Sequence, residues 1–141
     1  MEAAGSPVLG QALTLRGVPH TVTIALAAGA ANVCTITVTV TDYDGNVVVG
    51  LHSLELLTSS AATGAGISVV AYSGSIVAVT GKITTTLTAK HHFLIQTDPT
   101  TGTFVGSLTD TAKTAGETIV VAKPLGSGCV VSAATVTGSY G

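Results

Sequence analysis

The sequence predicts an all-β fold, an antiparallel Greek-key β-sandwich of jelly-roll or immunoglobulin-like type, built as a single domain. Three observations carry that prediction. Residues 34–41 read Cys-Thr-Ile-Thr-Val-Thr-Val-Thr, an alternation that puts one face of a strand in a core and the other outside. Shorter runs of the same kind recur along the chain, separated by Gly, Pro, Asn and Asp. No long segment carries the 3.6-residue period of a helix. At 141 residues the chain fits one domain whose core needs no metal or disulfide.

The elements follow in order. Residues 1–19 are irregular, with Leu13 and Leu15 offering one short strand at best, and read as an N-terminal arm before a sandwich domain of residues 20–141. Residues 20–26 alternate as a strand, and 29–32 turn the chain into the strand at 34–41. Asp42-Tyr43-Asp44-Gly45-Asn46 is a hairpin turn, because Gly45 readily takes positive φ. Residues 47–57 read as the return strand, with a slip of phase that places a bulge near 50–53.

Residues 59–66 are small and Gly-bearing, a loop. Residues 67–71 and 75–80 are short strands on either side of Ser73-Gly74. Gly81 opens a strand over 82–90 with Ile83, Leu87 and Ala89 on one face, which 91–96 continue or follow after a bend. Asp98-Pro99-Thr100-Thr101-Gly102 is a turn, Pro presetting φ and Gly closing the reversal. Residues 104–108, 118–122 and 129–136 complete the strands, and 110–114 allow one short helical turn.

Composition narrows function. Charged residues are 9% of the chain, against about 25% in an ordinary soluble domain. Hydrophobic residues are 46% and aromatics 4%. The surface is therefore polar through hydroxyls and backbone, and easily desolvated against another protein. With a net charge of −2 and Arg16, Lys82, Lys90, Lys113 and Lys123 scattered, nucleic acid is not an expected partner. Apolar runs fall far short of the ~20 residues of a spanning helix, so no membrane is expected either. The opening Met-Glu-Ala-Ala-Gly-Ser-Pro lacks the basic and apolar regions of a secretory signal, which points to synthesis and retention in the cytoplasm. Cys34 and Cys129 then read as reduced core residues.

A search for chemistry returns little. His91 and His92 are adjacent and point to opposite faces of a strand, so they cannot close on one ion. His20 and His52 are isolated, and only folding could bring one of them to His91 or His92 with Asp98 nearby. The Asp42 turn resembles a calcium loop superficially, but that loop needs Gly sixth and Glu twelfth, whereas here Gly45 is fourth and the twelfth residue is Ser53. Gly126-Ser127-Gly128 and Tyr72-Ser73-Gly74 lack the spacing of a nucleophile elbow. Cys34 alternates with core positions and would be inert. The expectation is a protein that is not an enzyme, with no catalytic, cofactor-binding or metal residues and no cofactor.

Residues 37–50, Thr-Val-Thr-Val-Thr-Asp-Tyr-Asp-Gly-Asn-Val-Val-Val-Gly, resemble the strand–turn–strand of bacterial immunoglobulin-like modules. Ser60-Ala61-Ala62-Thr63-Gly64-Ala65-Gly66, Leu108-Thr109-Asp110-Thr111-Ala112-Lys113-Thr114 and the ending Val136-Thr137-Gly138-Ser139-Tyr140-Gly141 resemble small virion proteins of tailed phages. That resemblance implies a capsid decoration, or cement, protein: a structural β-sandwich on the capsid surface of the virion, made in the host cytoplasm. Its implied partner is the major capsid protein of the same particle, with self-association as a dimer or trimer. The arm would cross a seam of the shell, and exposed strand edges would extend a neighbour's sheet. The alternative is a tail or fibre immunoglobulin-like module that contacts a cell surface or glycan through loops 59–66 and 98–102. Against it, the aromatic side chains available for sugar stacking are few: Phe93, Phe104, Tyr43, Tyr72 and Tyr140.

Overall fold

Alternation of apolar and hydroxyl side chains sets most of the strands. In the computed structural model, which describes residues 17–126 and 128–141, they are β1 (Thr21–Ala28), β2 (Val33–Thr41), β3 (Ser53–Ser59), β4 (Ile76–Thr80), β5 (Lys82–Thr88), β6 (His92–Gln96), β7 (Thr103–Thr109), β8 (Thr118–Ala122) and β9 (Cys129–Val131). A 3-10 turn, Thr137–Ser139, follows. Most of the expected arm, including Leu13 and Leu15, lies outside the described residues, as does Ser127.

The strands form two antiparallel sheets, ordered β1-β2-β7-β4 and β5-β6-β3-β8-β9. Of the two topologies expected, this order is immunoglobulin-like. β1, β2, β7 and β4 occupy the A, B, E and D positions of that fold, and β3, β8 and β9 occupy C, F and G. The β5–β6 hairpin flanks β3 where variable-type domains add two strands, but it follows β4 in the chain. Its strand nearest β3 is also its second, which reverses the usual sequence.

Between the sheets lies one core. Ile36, Val38 and Val40 of β2 face Leu56, Phe93, Ile95 and Val121 of the other sheet, all essentially fully buried. Phe104 and Leu108 join them from β7, and Tyr72 from the β3–β4 connection. Each such aliphatic or phenyl side chain contributes about 1.5–3 kcal/mol on burial, so this inward row is the main source of stability. The chain passes from the edge of one sheet to the edge of the other at Gly81, the single residue between β4 and β5.

Several expectations need correction. Residues 47–52 are not strand: beyond a single bridge from Thr41 to Val47 the chain leaves the first sheet. The expected turn over residues 42–46 does form: the Asp42 N–H bonds the Asn46 carbonyl, and the Asp42 carboxylate takes the N–H groups of Asp44 and Asn46. His52 N–H then bonds Thr97 Oγ1, drawing the chain across to the second sheet. Residues 67–71 are not strand either, because Ser68 Oγ takes the Val70 N–H and Tyr72 N–H turns back to the Val70 carbonyl. Leu87 and Ala89 are exposed, since the register of β5 against β6 shifts twice and breaks the alternation. The last strand ends at Val131, where Ser132 Oγ replaces a backbone acceptor for the Ile119 N–H. Cys34 is buried as expected, but Cys129 is exposed on β9; both are free thiols.

Candidate functional site

Sheet registration assembles the threonine positions into a surface. On the outer side of the β1-β2-β7-β4 sheet, Thr23, Thr39 and Thr103 form one cross-strand row and Ala25, Thr37 and Val105 the next. Ala27, Thr35, Ser107 and Val77 form a third row that spans all four strands. None of these strands contains Asp, Glu, Lys, Arg or His. Hydroxyls that bond to water in the free protein can bond to a partner instead, and no ion need be stripped of solvent. At the β4 edge of this face, Val77 and Val79 are 60% and 67% exposed. Val47, Val49 and Leu51, on the segment that leaves the sheet, are exposed as well.

The other sheet is different. Its outer face carries Glu55 of β3, whose Oε1 lies 2.8 Å from Nε2 of His92 on β6. Lys82 and Lys123 lie at its margins, and a shallow groove of about 330 Å³ runs between Glu55, Thr84, Leu94 and Lys123. Among the described residues the molecule is thus two-sided, with strand-borne charge confined to one sheet.

The histidines considered for metal are dispersed. His20 stacks on Tyr43 with ring centres 3.7 Å apart, and His52 Nε2 lies 2.9 Å from the Val48 carbonyl oxygen. His91 Nδ1 meets Thr58 Oγ1 at 2.8 Å, and His92 meets Glu55. Among the described residues, no three His, Cys, Asp or Glu side chains are grouped for an ion. The Asp42 carboxylate serves its own turn and the Gly17 N–H, the link between the start of the described chain and the sandwich.

One polar cluster was not foreseen from the sequence. Glu117, 3% exposed, accepts hydrogen bonds on Oε1 from Ser68 Oγ at 2.5 Å and Tyr72 Oη at 2.7 Å. Its backbone N–H donates to Thr135 Oγ1, and its carbonyl accepts the Thr135 N–H. Burial first, and the Glu117 carboxylate second, push the Tyr72 phenol far above the ordinary tyrosine range. An acid, a phenol and a hydroxyl in contact resemble proton-transfer machinery, yet the groove beside Glu55 does not reach them. Their geometry pins the β3–β4 connection to the start of β8. The only sequence signal was a lone Glu directly before an apolar strand.

The loops of the alternative reading lie apart. β3 and β6 are antiparallel, with Leu57 opposite His92 and Ser53 opposite Gln96. The loop after β3 therefore leaves one end of the sandwich, and the 98–102 turn leaves the other. Phe93, Phe104, Tyr72 and Tyr140 are buried, and Tyr43 is the exposed aromatic.

These features define a single-domain, two-sheet antiparallel β-sandwich with one uncharged outer face. Comparison with family models, curated proteins and solved structures finds no match to the chain.

Proposed function

We propose that this protein is a non-enzymatic structural subunit that docks on a larger protein assembly through the outer face of its β1-β2-β7-β4 sheet, as a decoration protein on a tailed-phage shell. The observation that carries the reading is the absence of any charge from the four strands behind that face. A free surface of this extent normally keeps ions for solubility, whereas a surface covered in the working state need not. The tailed-phage shell, and the major capsid protein as partner, come from the resemblance of residues 60–66, 108–114 and 136–141. Many weak copies of one contact would add their effects over a shell.

The test is the copy number of the chain per major shell subunit in purified particles, by quantitative mass spectrometry. A ratio near one, or a simple fraction of it, supports decoration of the shell. A few copies per particle would move the protein to a tail or fibre, and absence from particles would overturn the virion reading.

A further inference from the structure

The four sheet edges differ in how they are protected. β4 shifts register between Ala78 and Thr80, β5 shifts twice and begins on Lys82, and β9 is three residues long. Bulges, an edge lysine and short length all blunt an edge against another chain. β1 has none of these. Its eight residues pair with β2 in unbroken register from Thr21 opposite Thr41 to Ala28 opposite Cys34, with no charge and no proline. Among the described residues, no strand lies on its outer side.

We propose that β1 pairs antiparallel with β1 of a second copy of this chain, joining two four-stranded sheets into one. Pairing about a twofold axis brings side chains near the axis close to their own counterparts, so a charge there would meet a like charge. β1 is free of that penalty, and Thr23, Ala25 and Ala27 on its outer face are small and exposed. The alternation also restricts the register. Opposed residues must point to the same side of the sheet, so the axis passes through a residue position, and the greatest overlap of the eight residues puts it at Ile24 or Ala25. In one register Ala25 faces Ala25 of the second copy, and in the other it faces Thr23.

Eight residues span roughly 27 Å. Such an edge buries far less than the ~800 Å² per partner of a stable interface. Association is therefore weak in dilute solution and gains strength where copies are already held side by side. This inference is independent of whether the outer face docks on a shell.

Sedimentation velocity of the full chain over a concentration series tests it. A dimer fraction that rises with concentration is expected. Ala25→Lys and Ala25→Glu should each weaken dimerisation by about fivefold or more, and an equimolar mixture of the two should restore it. Val77→Lys, at the opposite edge of the same sheet, should leave the dimer intact. The proposal is overturned by a monomer at all concentrations to about 1 mM, by Ala25→Lys dimerising like the parent, or by loss of the dimer in Val77→Lys. A dimer that forms only after residues 1–16 are removed would also overturn it, assigning the edge to the chain's own N-terminal segment. Circular dichroism of each variant confirms that the exposed substitution has not unfolded the sandwich.

Discussion

Tyr72 Oη donates to Glu117 Oε1 across 2.7 Å, tying an irregular connection to the start of β8 through two residues that are both nearly fully buried. Ser68 Oγ donates to the same oxygen. Glu117→Ala should cost about 2–4 kcal/mol, because it leaves two buried hydroxyls without their acceptor. Tyr72→Phe should cost only about 1 kcal/mol. Urea unfolding of both single variants and the double should give a double-mutant total smaller than the sum. Strict additivity would mean that the bond contributes nothing of its own.

Gly81 carries the chain between sheets at φ +75°, where a Cβ would overlap the Gln96 carbonyl oxygen. Gly45 has φ +82° with open space around it. Gly45→Ala should therefore lose only the cost of a strained backbone, about 1 kcal/mol. Gly81→Ala should lose at least about 2 kcal/mol, with collision added to strain. Thermal melts that ranked the two equally would show that the corner can relax.

Asp110 governs an acid limb. Burial drives its carboxyl upward, but hydrogen bonds from the Thr114 hydroxyl and N–H and the Ala112 N–H outweigh that and hold it below the ordinary aspartate value. A depressed folded value means that the contribution is present above the unfolded value of about 3.9 and is lost as pH falls through the folded one. Asp110→Asn should cost about 1–2 kcal/mol near neutrality. The deficit should shrink in acid, read as urea midpoints converging with those of the parent below about pH 3.

Tyr140 governs an alkaline limb. Burial pushes its phenol up to about 12, and the backbone N–H of the following Gly141 anchors the same segment to the Val33 carbonyl. Its raised folded value means stability fully present below about pH 10 and lost as pH rises toward that of the folded phenol. Tyr72 shifts in the same direction. Phenolate absorbance should show delayed ionisation of Tyr140 that returns to the ordinary range in urea. Tyr140→Ala should destabilise by about 3–5 kcal/mol, as for loss of a buried aromatic ring.

Thr37 sits in the middle of the uncharged face, between Ala25 and Val105. Thr37→Lys should change folding stability by no more than about 0.5 kcal/mol. It should reduce binding to purified shells by at least about tenfold, because the contact would have to desolvate an unpaired ammonium. Unchanged binding would remove this face from the proposed interface.

The all-β class, the strands β1, β2, β7 and β8 and the Asp98 turn were legible in the chain, because period-two patterning and turn chemistry act within a few neighbouring residues. The same patterning misjudged residues 47–52 and 67–71, whose apolar content looks strand-like while side chains of Thr97 and Ser68 capture the N–H groups of His52 and Val70. The rest came from contacts between distant parts of the chain. Pairing β2 with both β1 and β7 turned separate threonines into one uncharged face, and closing the sandwich brought Tyr72 to Glu117 from 45 residues away. Both outcomes depend on long-range register, which is set by how two sheets share one core and leaves no mark on any short stretch of chain.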